Sequence, residues 1–247
     1  MAVADLVLAT DDTGGPEIFA SLQGEGPSAG MPVAFIRLSR CNLACTWCDT
    51  AYTWRFEGDN RPHRDHVTFE RKANQVKLSP VEAAQRITET GQNRLVITGG
   101  EPLMQGSALA EMMDHLPDMR VEVETNGTTK APPQLDARID QYNVSPKLAH
   151  SGNPAELALI PERLAAYAAD ERAFFKFVIA EPGDVDEVLE IVSAHRVPAS
   201  RVFLMAEGTT SEVQRERQVW LSGLALKHGF RMSDRLHIHL YGDTRGT

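Results

Sequence analysis

The stretch "PVAFIRLSRCNLACTWCDT" (Pro32–Thr50) decides how this chain folds. Its first seven residues are apolar apart from Arg37, include the β-branched Val33 and Ile36 and the aromatic Phe35, are strand-length, and are followed at once by polar turn residues. Five similar runs follow: "RLVIT" (Arg94–Thr98), "RVEVET" (Arg120–Thr125), "QYNVS" (Gln141–Ser145), "FFKFVI" (Phe174–Ile179) and "RVFLMA" (Arg201–Ala206). Helical patterns lie between them. Ser79-Pro80 before "VEAAQRITETG" reads as an N-cap, a proline at N1 and a stop at Gly91. Asp184–Ala194 sets Val185, Val188, Leu189 and Val192 at helical spacing, and Ser211–His228 reads as a longer amphipathic helix closing at Gly229.

Strands alternating with helices specify a parallel sheet with right-handed crossovers. Six such units fall short of the eight of a closed barrel, so the expected fold is α/β, a partial (β/α)6 TIM-like barrel. A doubly wound open sheet is the competing topology. The 247 residues, 42% of them hydrophobic, fit one domain spanning 1–247. Within it, Ala51–Lys77 is long, charged and weakly periodic, either a functional excursion near the site or a mobile insertion.

Charge narrows the function. With 25 basic and 34 acidic residues the formal net charge is −9, without the basic footprint that phosphate backbones or anionic membranes attract. The N-terminus lacks a basic segment leading into an apolar run, and no segment approaches about 20 apolar residues. Three cysteines and eight methionines suit a reducing compartment, so a cytoplasmic location is expected, with neither nucleic acid nor membrane as partner.

A barrel gathers its site at the C-terminal ends of its strands, and five of the six runs end there in a polar motif. These are "SRCNLACTWCDT" after the first run, "GGEP" (Gly99–Pro102), "ETNG" (Glu124–Gly127), "SPK" (Ser145–Lys147) and "AEGT" (Ala206–Thr209). Turn formation accounts for the glycines and prolines, and less well for Glu101, Glu124, Asn126 and Lys147.

All three cysteines of the chain, Cys41, Cys45 and Cys48, fall in the first motif as C-x3-C-x2-C. A structural zinc site would need a fourth ligand from elsewhere, and a disulfide would leave one thiol over. An electron-transfer 4Fe–4S cluster takes four thiolates. Three thiolates leave one iron open, which is useful where a ligand must bind the metal itself.

C-x3-C-x-aromatic-C, here with Trp47 before Cys48, resembles the signature of radical S-adenosylmethionine (SAM) enzymes, and "GGEP" resembles their second motif. In that superfamily SAM chelates the open iron and is cleaved to a 5′-deoxyadenosyl radical. Phe19–Thr50, followed in order by "ITGGEPLMQ", "VEVETNGT", "NVSPKL" and "KFVI", resembles the 7-carboxy-7-deazaguanine synthases of queuosine biosynthesis across nearly the whole chain. The resemblance implies a lyase acting on 6-carboxy-5,6,7,8-tetrahydropterin with loss of ammonia. It also implies a 4Fe–4S cluster, SAM, Mg2+, a homodimer, and an electron donor such as flavodoxin or ferredoxin.

Carried over by position, Cys41, Cys45 and Cys48 hold the cluster and Thr50 ligates Mg2+, with Asp49 beside it. A substrate loop at about 17–30 contributes Leu22, Gln23 and Gly24 to the pterin, joined by Arg37, Thr98 and Thr247. Gly100, Glu101, Ser145, Pro146 and Lys147 take SAM. Glu124 and Asn126 either contact SAM as well or cap the connection that follows them. Lys176 faces the barrel or forms a salt bridge, and stays unassigned. His63 and His66 read as surface residues, and His237 and His239 as structural residues of a final strand, "LHIHLYG". Two alternatives remain: an activase of the same superfamily that makes a glycyl radical on a partner protein, and a zinc-stabilised interaction module.

Overall fold

The computed structural model describes residues 4–247, so the start of the acidic N-terminal segment lies outside it. The strands are β1 (Leu6–Ala9), β2 (Ile18–Leu22), β3 (Pro32–Leu38), β4 (Gln75–Leu78), β5 (Arg94–Gly99), β6 (Arg120–Thr125), β7 (Gln141–Val144), β8 (Ala173–Ile179), β9 (Val202–Ala206) and β10 (Arg231–Ser233). The described residues form one sheet in the order β10-β9-β8-β7-β6-β5-β3-β1-β4, with β2 paired to β3. From β3 through β9 to β10 every neighbouring pair is parallel, whereas β1, β2 and β4 join antiparallel at the β3 edge. The six expected parallel strands are present within one or two residues of their sequence-read limits. They belong to a sheet that curves without closing, the partial barrel.

Side chains alternate across each strand with period two. Ala34, Ile36 and Leu38 of β3, Leu95 and Ile97 of β5, and Val121 and Val123 of β6 join the apolar core beneath the helices. So do Tyr142 and Val144, Phe175, Phe177 and Ile179, and Val202, Leu204 and Ala206. The alternate residues point into the barrel: Arg37, Thr98, Glu124, Lys176 and Met205 all line one cavity there. A strand that reads as continuously apolar therefore carries two faces, one packed and one wet.

Helix Pro80–Glu89 begins in a capping box, with Ser79 Oγ accepting from Glu82 N at 3.3 Å and the Glu82 side chain accepting from Ser79 N at 2.9 Å. Helix Asp184–His195 covers β8, as the spacing indicates. Two expectations are corrected. Helix Ser211–His228 has no clean apolar face: Gln214 is fully buried while Val219 and Leu226 are 77% and 83% exposed. Gln214 is drawn inside because its Nε2 donates to the Ala206 and Gly208 carbonyls at 2.9 and 2.8 Å, closing the end of β9. The segment "LHIHLY" is a helix, Leu236–Tyr241, not a strand. A six-residue alternation does not separate the two states, and here Leu236 N donates to the Gly24 carbonyl at 3.0 Å instead of extending the sheet.

The Ala51–Lys77 excursion is built into the fold. Its opening residues 51–56 are buried, Phe56 bridges to Phe69, and β4 at its far end pairs with β1.

Candidate active site

The site is assembled around the turn that leaves β3. Arg40 adopts a left-handed φ of 79°, and its N–H donates to the Thr53 carbonyl at 2.7 Å. The cysteine loop then curls on itself, Cys48 N donating to the Cys45 carbonyl at 3.2 Å. It is pinned from outside by Thr46 N to the Ser151 carbonyl at 2.9 Å and Ala44 N to Asn153 Oδ1 at 2.8 Å. Beneath it the ends of β3 and β5 approach too closely for side chains. A Cβ on Gly99 would stand 2.0 Å from the Leu38 carbonyl oxygen, and one on Gly100 would stand 2.1 Å from that of Arg40. Only glycine fits there, which leaves bare backbone on the cavity wall beside Cys41.

The three thiols are free and border one cavity. Among the described residues no three His, Cys, Asp or Glu side chains converge closely enough to hold a single metal ion. Every sulfur accepts at least one N–H: Cys41 from Leu43 N at 3.4 Å and, more distantly, from Asn126 Nδ2 at 4.0 Å, Cys45 from Asn153 Nδ2 at 3.3 Å, and Cys48 from Trp54 Nε1 at 3.4 Å. Burial pushes the Cys41 thiol up to about 12 and, with the Asp49 charge nearby, the Cys48 thiol up to about 11. Thiolates at neutral pH therefore require the positive charge of bound iron. The donor set fits a 4Fe–4S cluster with one open iron.

The cavity measures about 340 Å³, within the range of small-ligand sites. It brings together Cys41, Cys45, Cys48, Thr50, Leu22, Gln23, Gly24, Arg37, Thr98, Gly100, Glu124, Asn126, Ser145, Lys147 and Thr247. Glu101 and Pro146 are not among its lining residues. Glu101 is fully buried behind the wall, accepting from Leu103 N at 3.1 Å, Thr125 Oγ1 at 3.0 Å and Asn126 N at 2.8 Å. Burial carries its carboxyl up to about 7 in spite of those donors. Asn126 faces the cysteine loop, its Nδ2 donating to Asn42 Oδ1 at 2.9 Å.

Arg37 reaches in from β3 with its Nε on Glu17 at 2.7 Å, while Tyr52 Oη donates to the same fully buried carboxylate at 2.9 Å. Its two terminal nitrogens make no hydrogen bond among the described residues and are left for a ligand. Lys147 Nζ donates to Ser145 Oγ at 2.9 Å and lies 5.6 Å from the Trp47 ring centre.

A chain of charges crosses the floor, Glu124–Lys176–Glu25–Arg235–Asp49, of which sequence reading left Lys176, Glu25 and Arg235 without a role. Lys176 Nζ lies 2.7 Å from Glu124 and also pairs with Glu25, and Arg235 Nε lies 3.2 Å from Glu25 while its Nη2 pairs with Asp49. Lys176 and Arg235 are buried. Burial works against every one of these charges. Glu25, with two cations beside it, is nevertheless held well below the usual carboxylate range. Glu124, with one cation and the Glu25 charge nearby, is pushed up by burial. Asp49, held by Arg235 against the cost of burial, is also lowered. The legible signal was a lone cation in "FFKFVI", in the inward register that Arg37 occupies on β3.

The histidines divide. His63 is buried, not a surface residue, and its Nε2 donates to the Cys48 carbonyl at 2.9 Å, behind the cysteine loop. His66 is exposed as expected. His237 lines the cavity against Gly24, where a Cβ would stand 2.3 Å from its Nδ1, and burial lowers its pKa. His239 is structural, with Ser211 Oγ at 3.0 Å and Asp234 at 3.2 Å. Tyr52 and Trp54 from the excursion also line the cavity, and Arg245 of the C-terminal segment packs over the Tyr52 ring at 3.7 Å.

Comparison with known proteins gives a consistent picture. The model of the radical SAM superfamily matches residues 35–151. A 7-carboxy-7-deazaguanine synthase of Pyrobaculum aerophilum is 38% identical over 234 residues, covering 93% of this chain and 95% of that protein. One from Hyperthermus butylicus is 35% identical over 228 residues, covering 90% of each. The crystal structure of QueE from Escherichia coli superposes with a TM-score of 0.66 at 24% identity, covering 94% of this chain and 95% of that one, a likeness of fold. Among the described residues no helix is long and apolar enough to cross a membrane.

Proposed function

The chain belongs to the 7-carboxy-7-deazaguanine synthase family and is a radical SAM lyase, and from that premise we propose how its cavity is used. The reaction is the contraction of 6-carboxy-5,6,7,8-tetrahydropterin to 7-carboxy-7-deazaguanine with loss of ammonia. The observation that carries the reading is the meeting of three free thiols and an unshared guanidinium edge in one ligand-sized cavity at the strand ends. When bound, the cluster and SAM supply the one-electron chemistry that starts the reaction. The rest is positioning.

Cys41, Cys45 and Cys48 hold the cluster in this reading. Gly100, Ser145 and Lys147, with Asn126 across the cleft, face the SAM position; Pro146 shapes that turn, and Glu101 acts from behind by fixing Thr125 and Asn126. Arg37 offers its free terminal nitrogens to the substrate carboxylate, and Glu17 and Tyr52 lock the guanidinium plane for it. Leu22, Gln23 and Gly24, Thr98, Glu124 and the C-terminal Thr247 enclose the pterin. Loop and tail together exclude water from a site where a radical must not meet it.

Thr50 is the proposed Mg2+ ligand, its hydroxyl 3.6 Å from Cys48 Sγ; magnesium commonly takes few protein groups. Asp49 beside it is tied to Arg235 and reaches the ion only with its other oxygen. We also propose that residues 1–247 act as one domain, that the protein is cytoplasmic, and that a flavodoxin- or ferredoxin-type protein donates the electron. Val219 and Leu226, seven residues apart on one exposed helix face, support a homodimer.

An anaerobic assay with dithionite, SAM, Mg2+ and the carboxytetrahydropterin, read by mass spectrometry, should give the deazaguanine. Deoxyadenosine without that product would reassign the substrate, the glycyl-radical activase being the next candidate. Thr50→Ala should lose activity with cluster and SAM binding intact; full activity would remove the magnesium assignment.

A further inference from the structure

Three of the four N–H groups that meet the cysteine sulfurs come from side chains outside the cysteine motif; Asn126 Nδ2 stands 4.0 Å from Cys41 Sγ, and the other two lie closer. Asn153 Nδ2 donates to Cys45 Sγ at 3.3 Å, and Trp54 Nε1 to Cys48 Sγ at 3.4 Å. Neither direction is arbitrary. Ala44 N–H takes Asn153 Oδ1 as its acceptor at 2.8 Å, which turns the amide nitrogen toward Cys45 and toward Ser151 Oγ at 3.1 Å. The Trp54 indole can only donate. Its ring is 5% exposed, covered by the Arg61 guanidinium at 4.8 Å and met edge-on by His63 at 6.3 Å.

An iron-bound thiolate sulfur carries more negative charge after reduction than before it. An N–H aimed at that sulfur therefore stabilises the reduced cluster more than the oxidised one and raises its potential. We propose that Asn153 and Trp54 set the reduction potential of the cluster through their N–H···S hydrogen bonds. They are positioning residues: Asn153 stands outside the cavity, and Trp54 lies at its edge without a charge to offer. The proposal rests on the assignment of Cys41, Cys45 and Cys48 as the cluster ligands.

The test is a potentiometric titration of the anaerobically reconstituted protein with dithionite, followed by electron paramagnetic resonance, without SAM or substrate. Trp54→Phe keeps the aromatic face and deletes one donor; Asn153→Leu deletes the other at similar volume. With iron and sulfide content unchanged, each variant should show an about tenfold lower ratio of reduced to oxidised cluster at fixed potential, a fall of 59 mV for a one-electron couple. The double variant should shift further. Asn153→Asp, which keeps the acceptor for Ala44 N–H and turns an oxygen to the sulfur, should lie at least as low as Asn153→Leu. Iron-loaded variants that titrate with the parent overturn the proposal. Loss of iron from both single variants overturns it too, since the residues would then hold the loop and not tune it. A parent that takes up no iron removes the cluster assignment itself, a result distinct from either.

Discussion

Lys176→Met tests whether the charge network across the cavity floor is held by its central cation. Lys176 Nζ lies 2.7 Å from Glu124 and pairs with Glu25, with 5% of its side chain exposed. Methionine replaces the stem with similar volume, so packing changes little and the charge is what is lost. Glu25 keeps Arg235 at 3.2 Å. Glu124 keeps only neutral donors, Asn143 Nδ2 at 2.8 Å and Gln23 Nε2 at 3.4 Å. Removing one partner of a buried pair costs about 3–5 kcal/mol. For a chain of this size that is a Tm lower by roughly 6–20 °C. The pH dependence carries a sign. Burial already raises the Glu124 carboxyl above its usual 4.5, and without Lys176 it rises further. A group raised in the folded state contributes stability that is present below its unfolded value and lost as pH climbs through the folded one. The deficit of the variant should therefore be largest at pH 8 and shrink toward pH 5. Calorimetry of variant and parent across that range reads it directly. A deficit below about 1 kcal/mol, the size of an exposed pair, or one that does not change with pH would refute the reasoning.

Other outcomes follow from the same geometry. Gly100→Ala drives a Cβ to 2.1 Å from the Arg40 carbonyl and 3.0 Å from Cys41 Cβ, so iron uptake after reconstitution should fall along with thermal stability; normal iron content would sink the close-approach account. Glu101, buried and raised from 4.5 to about 7, should lower stability as pH rises from 5 to 8, by at most about 3 kcal/mol. Glu101→Gln should remove that slope, measured as the difference between parent and variant unfolding free energies; an unaltered slope would show that another group carries it. Ser79→Ala deletes the cap of Pro80–Glu89 and should cost about 1 kcal/mol without affecting the cluster spectrum. Cys45→Ala should abolish both cluster and turnover, and a variant that still assembled the native cluster would displace the ligand assignment.

How much of this was readable without the fold differs by residue. The six parallel strands were legible because β-branched runs bounded by turn residues encode their own state. The inward direction of Arg37 and Thr98 follows from period two once one core residue of the strand is known. The helix at Leu236–Tyr241 was not legible, because a short alternation fits either state and was decided by a hydrogen bond to Gly24, far away in sequence.

Sequence alone determined the parallel α/β architecture, the three-cysteine motif and its lack of a fourth cysteine, all of which are local: neighbouring residues fix them through backbone preference and spacing. Tertiary structure decided which charges meet. Glu25 and Arg235 stand 210 positions apart and touch, His237 turns into the cavity, Glu101 withdraws behind its wall, and Asn153 and Trp54 aim their N–H groups at sulfur. Burial makes each of those partnerships strong and each missing partner costly, and burial belongs to the assembled fold.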